Sequence, residues 1–135
     1  MSGDDQATTG TSAGVPLTGI RVLIVEDEAL IAMDLEDLIL DGGGLLVAPP
    51  LRTCREALAV SEAQDIDLAI LDVSLPDGEV YPVAEVLRTR DIPLIFHSGH
   101  AAHQDIKGRF PNAGWIAKPS DTSVIMDTLL TLMDL

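Results

Sequence analysis

From Arg21 onward the chain alternates short apolar runs with longer amphipathic ones, and this repeat restricts the available folds more than any other feature. RVLIVED (21–27) reads as a buried strand, apolar on both faces and bounded by acids. ALIAMDLEDLIL (29–40) reads as a helix stopped by Gly42, Gly43 and Gly44. LLVAP (45–49) is a second strand ended by Pro49 and Pro50, and Thr53 with Glu56 has the spacing of a capping box for a helix to about Ser61. DLAILDV (67–73) is the strongest strand; a turn at SLPDG (74–78) follows, then a helix over 80–90 with Pro82 in its first turn. IPLIFHSG (92–99) and GWIAKP (114–119) complete five strands. Between them, 101–110 predicts only a weak helix, because Gly108 and Pro111 interrupt it, and Ser120 or Asp121 caps a last helix through Met133. Alternation of this kind predicts an α/β fold: a doubly wound, flavodoxin-like parallel sheet of five strands in the order 2-1-3-4-5, with helices on both faces.

Residues 1–19 are rich in Gly, Ser, Thr and Asp without hydrophobic period, so they predict a disordered tail, with one domain over 20–135. Twenty-two acidic residues against eight basic ones give a formal charge of −14, which argues against a nucleic-acid partner and favours basic protein surfaces. The single cysteine, Cys54, excludes an internal disulfide. No apolar stretch approaches the roughly 20 residues that span a bilayer, and the acidic N-terminus is unlike a signal peptide; a cytoplasmic location, away from membranes, is the expectation.

Ligands of such sheets bind beyond the C-terminal strand ends, where the strand order reverses. Here the first strand ends in Glu26, Asp27 and Glu28, the third in Asp72, the fourth in Ser98 and the fifth in Lys118. Converging carboxylates repel unless a cation joins them, and an all-oxygen site with room for water suits Mg²⁺, with Mn²⁺ as a substitute. Two metal-binding acids, a further Asp, a Lys and a hydroxyl fit phosphoryl transfer to a carboxylate: Asp72 attacks phosphorus, Lys118 neutralises charge and Ser98 bonds an oxygen. Any one of these acids alone is more often a cap or a solvated turn residue; the set at four strand ends carries the inference.

LIVEDE at the first strand, LAILDVSLPDG around Asp72, LIFHSGH at the fourth strand and AKP at the fifth stand in matching order and spacing, and over residues 20–134 the chain resembles a bacterial response-regulator receiver domain. The resemblance implies that Glu26 and Asp27 hold Mg²⁺, that Asp72 accepts the phosphoryl group from a sensor histidine kinase or histidine phosphotransfer protein, and that the Ser74 backbone carbonyl completes the metal site. It further implies that Ser98 is the switch hydroxyl, that Lys118 contacts the phosphoryl group, and that the Lys118–Pro119 bond is cis. Such a domain is a phosphoacceptor, not an enzyme. Trp115 stands where the family usually carries the switch Tyr or Phe, and its bulk puts inward rotation in doubt. The stretch from FHSGH through 114 is similar to stand-alone alphaproteobacterial receivers with FATGYG-like motifs. Ser74 and His100 occupy positions that tune phosphoryl lifetime in the family; a solvent-exposed loop histidine is the plainer view of His100.

On the first helix, Leu30, Ile31, Asp34 and Asp37 share one face, which receivers present to the kinase; Ile31 could equally be core. On the last helix, Met126, Leu130 and Met133 form a second apolar stripe beside Val124, Ile125, Leu129 and Leu132, and predict a homodimer or a wide buried face. Two rival functions stay open. A phosphorylation-independent adaptor would lack the acids or the Lys, whereas an aspartyl-phosphate hydrolase would need a second Asp where Ser74 stands.

Overall fold

The computed structural model describes residues 15–135. Five parallel strands form the sheet: β1 (Arg21–Val25), β2 (Leu45–Leu46), β3 (Leu68–Leu71), β6 (Leu94–Ser98) and β7 (Gly114–Ala117). Two further short strands, β4 (Ser74–Leu75) and β5 (Gly78–Glu79), pair as a separate antiparallel hairpin. The main sheet runs β2-β1-β3-β6-β7, which is the order 2-1-3-4-5 once the hairpin strands are set aside. Alternate strand residues feed two cores. Leu23, Val25, Ala69, Leu71 and Phe96 face one side, with helices α2 (Cys54–Ala63), α3 (Tyr81–Thr89) and α4 (His103–Arg109). Val22, Ile24, Leu68, Ile70 and Ile95 face the other, with α1 (Ala29–Asp41) and α5 (Thr122–Leu132). Every one of these strand residues is at most 1% exposed, as a parallel sheet covered on both faces requires.

Order begins earlier than Arg21. The tail expected over 1–19 falls mainly outside the described residues, but Leu17 is fully buried in the α1/α5 core and its N–H donates to Gly42 O at 2.7 Å. One leucine in a polar stretch gives no period to detect. The turn that receives it needs Gly43, whose φ of +86° disfavours L side chains. β2 is shorter than predicted: Pro49 and Pro50 have no N–H for the ladder, and pairing with β1 resumes only at a single Val25–Leu51 bridge.

The capping box at Thr53 is half formed. Thr53 Oγ1 accepts from Glu56 N at 3.2 Å, while Glu56 Oε1 turns to Arg52 N. The predicted turn at 74–78 is the tip of the β4–β5 hairpin, and Asp77 within it caps α2 from a distance, accepting from Cys54 N at 2.8 Å and Arg55 N at 3.1 Å. α4 is firmer than expected. After a 3-10 turn at His100–Ala102 it runs through Gly108, buries Ile106, and sets the Arg109 guanidinium 4.2 Å above the Tyr81 ring. Asp121 caps α5, accepting from Val124 N at 3.2 Å. The second stripe of that helix is not free: Met126, Leu130 and Met133 are half-buried against the α1/α5 core, and Val124 is the exposed apolar residue. No described helix is long and apolar enough to cross a membrane.

Candidate functional site

Register assembles the site. Val25 pairs with Leu71, so Glu26 and Asp27 leave β1 beside Asp72, whose N–H donates to Val25 O at 2.9 Å. Ser98 pairs with Ala117, so Lys118 leaves β7 beside the end of β6, and its N–H donates to Ser98 O at 2.8 Å. Between them opens a cleft of about 450 Å³ walled by Asp27, Asp72, Ser74, Ser98 and Lys118. The Lys118–Pro119 bond is cis.

Lys118 is the hub. Its Nζ lies 2.9 Å from Glu26 Oε1, 3.2 Å from Asp72 Oδ2 and 3.3 Å from Glu28 Oε1. Burial pulls its pKa down, but the bond and charge of Glu26, helped by Asp72, outweigh this and hold it above the ordinary value. Glu26 is 1% exposed, and that burial pushes its carboxyl up against the pull of Lys118. Its Oε2 also accepts from Glu28 N at 3.1 Å, whereas Oε1 has, among the described residues, no hydrogen bond beyond the ion pair.

Oxygens of Glu26, Asp27 and Asp72 all lie within 4.8 Å of one another. At that separation each pair of ionised groups repels by about 3.5 kcal/mol at an effective dielectric of about 20. One ammonium cannot neutralise three carboxylates, so the donor set fits a hard cation held by oxygen. Ser74 lines the cleft just after Asp72, its N–H 3.4 Å from Asp72 Oδ1.

Other predicted residues fall elsewhere. Leu30 is 77% exposed, and Asp34 and Asp37 are exposed beside it, but Ile31 is half-buried against the α1/α5 core, so the apolar pair is in effect one residue. His100 is exposed yet stands outside the cleft wall, with its ring edge-on to Trp115 at 5.3 Å. Trp115 donates from Nε1 to Ser98 Oγ at 3.1 Å, and His103, given no role from sequence, stacks on it at 3.9 Å. The sequence places Glu28 at the strand end without a role, and nothing in it points to Arg52. The Arg52 guanidinium donates to Asp27 O at 3.2 Å from the loop before α2, a long-range contact without sequence periodicity.

Fold and site together define a receiver. The chain belongs to the response regulator receiver domain family, whose model matches residues 22–130. It is 38% identical over 103 residues to the phyllosphere-induced regulator PhyR of Methylorubrum extorquens, a match covering 73% of this chain and 38% of PhyR. With the transcriptional regulatory protein PdtaR of Mycobacterium tuberculosis it shares 32% identity over 127 residues, 90% of this chain and 59% of PdtaR. The chain therefore spans well under two thirds of the length of these curated relatives. The solution structure of SdrG from Sphingomonas melonis Fr1 superposes with a TM-score of 0.66 at 38% identity, covering 87% of this chain and 97% of SdrG.

Proposed function

We infer that this receiver is a phosphoryl-accepting switch in a phosphorelay, with Asp72 as acceptor. The observation that carries this is Lys118 Nζ, 3.2 Å from Asp72 Oδ2 at the rim of a cleft where three carboxylates converge. An Asp72 oxygen attacks the phosphorus of a phosphohistidine on a kinase or phosphotransfer protein. A P–O bond forms as the P–N bond breaks, and the electron pair leaves with the imidazole, which then takes a proton. Lys118 offsets charge on the transferred group, and the Ser98 hydroxyl donates to one of its oxygens. Glu26, Asp27, Asp72 and the Ser74 carbonyl would hold Mg²⁺ or Mn²⁺, which when bound supplies the positive charge that the acids lack. The domain is then a cytoplasmic phosphoacceptor and not an enzyme acting on an outside substrate. Leu30, Asp34 and Asp37 offer an acidic rim around one apolar contact to a basic partner helix.

Incubation with Mg²⁺ and acetyl phosphate, read by intact mass, tests this. The unmutated chain should gain one phosphoryl group, and Asp72→Asn should gain none. No gain by the unmutated chain, even from a phosphorylated kinase, would leave a phosphorylation-independent adaptor.

A further inference from the structure

Trp115 is the single tryptophan of the chain. It pairs with Phe96 in the β6–β7 ladder, so Ser98 lies two residues further along the same face, within diagonal reach of a long side chain. The indole takes that reach and donates its N–H to Ser98 Oγ at 3.1 Å. A serine hydroxyl has one proton to give and lone pairs to receive, whereas indole N–H only gives. The bond therefore occupies a lone pair of Ser98 and leaves its proton free. The other contact of that proton, Gly99 O at 3.4 Å, is at the long limit of a hydrogen bond. The indole is itself held: His103 lies over its face at 3.9 Å and 10° from parallel, and His100 meets it edge-on at 5.3 Å. Both histidines belong to the segment that leads from β6 into α4.

We propose that Trp115 is a positioning residue for the Ser98 hydroxyl, fixing its oxygen so that its proton serves the phosphoryl group, and that the His103 stack ties this arrangement to the first turn of α4. The proposal rests on Asp72 being the phosphoacceptor. Trp115→Phe keeps a flat ring for His103 and removes the donor. With Mg²⁺ and acetyl phosphate, phosphoryl uptake read by intact mass should slow by about 2- to 10-fold, the worth of one neutral hydrogen bond. Added to Ser98→Ala, the same substitution should slow uptake no further, which a merely structural role for the ring would not produce. In the unphosphorylated protein, Ser98→Ala should shift the lone indole N–H resonance and speed its exchange with water. Equal uptake by Trp115→Phe and the unmutated chain, or additive losses in the double variant, overturns the proposal while leaving the acceptor role of Asp72 intact. An indole resonance unmoved by Ser98→Ala overturns it even if Trp115→Phe fails to fold. No uptake by the unmutated chain removes the phosphoacceptor itself, and this proposal with it.

Discussion

His97 should make the domain acid-sensitive well above the range where carboxylates titrate. The residue sits on β6 at 4% exposure, facing the side of the sheet covered by α1 and α5. Its Nε2 lies 3.3 Å from Ser120 Oγ, and its Nδ1 has no partner among the described residues. Burial first, then the charge of Lys118, lower its pKa from 6.5 to about 4, with Glu28 opposing. The folded imidazole thus accepts its proton later than the unfolded one. The unfolded chain holds the extra proton between those two values, so stability is intact above pH 6.5 and falls as the pH drops towards 4. At pH 5 the full shift amounts to about 2 kcal/mol, and water reaching Lys118 trims this to about 1 to 2 kcal/mol. Urea unfolding at pH 7, 6 and 5, run beside His97→Gln, isolates the effect from the many acids. The unmutated chain should lose that much more than the variant between pH 7 and pH 5. Parallel losses in the two proteins would refute the reasoning.

Leu17→Ala should cost about 2 to 5 kcal/mol in chemical denaturation, because the side chain is wholly buried against Gly42 and cannot be replaced by solvent without a cavity. Asp77→Ala should lower the unfolding midpoint and speed amide exchange at Cys54 and Arg55, the two N–H groups it caps. Those bonds hold the Asp77 carboxyl below its usual range, so its contribution should persist at neutral pH and vanish as pH falls through that depressed value; a pH-independent effect would count against the cap. Met126→Lys with Leu130→Lys should destabilise the fold in a thermal melt, since both side chains pack on the α1/α5 core; an unchanged melt with a change of oligomeric state would restore the free-stripe view.

The strand order and four corners of the site were legible because each rests on local pattern. Apolar runs ending in acids, an Asp after LAIL and a Lys before Pro119 need only strand register to meet, and register follows from burial on both faces. What stayed hidden depends on contacts between distant segments. Asp77 reads locally as a turn residue, and nothing in SLPDG announces that its carboxylate caps a helix that starts 23 residues earlier. Nothing in the sequence marks His103, because its role is a stacking surface, which has no spacing rule. The helical pattern through Gly108 was discounted on propensity, which Ile106 in the core and Arg109 over Tyr81 override.

The sheet also sorts the rings of this chain. Its two phenylalanines, one tyrosine and one tryptophan all lie with the α2–α4 core, Tyr81, Phe96 and Phe110 in mutual contact and Trp115 half-buried against the same core, while the α1/α5 core is aliphatic. The molecule is therefore optically one-sided. Fluorescence emission and near-ultraviolet dichroism look into one half, and loosening of α1 or α5 would pass unseen by both. Coincidence of an emission melt with far-ultraviolet ellipticity, which counts helices on either side, is the observation that would show the two halves coming apart as one cooperative unit.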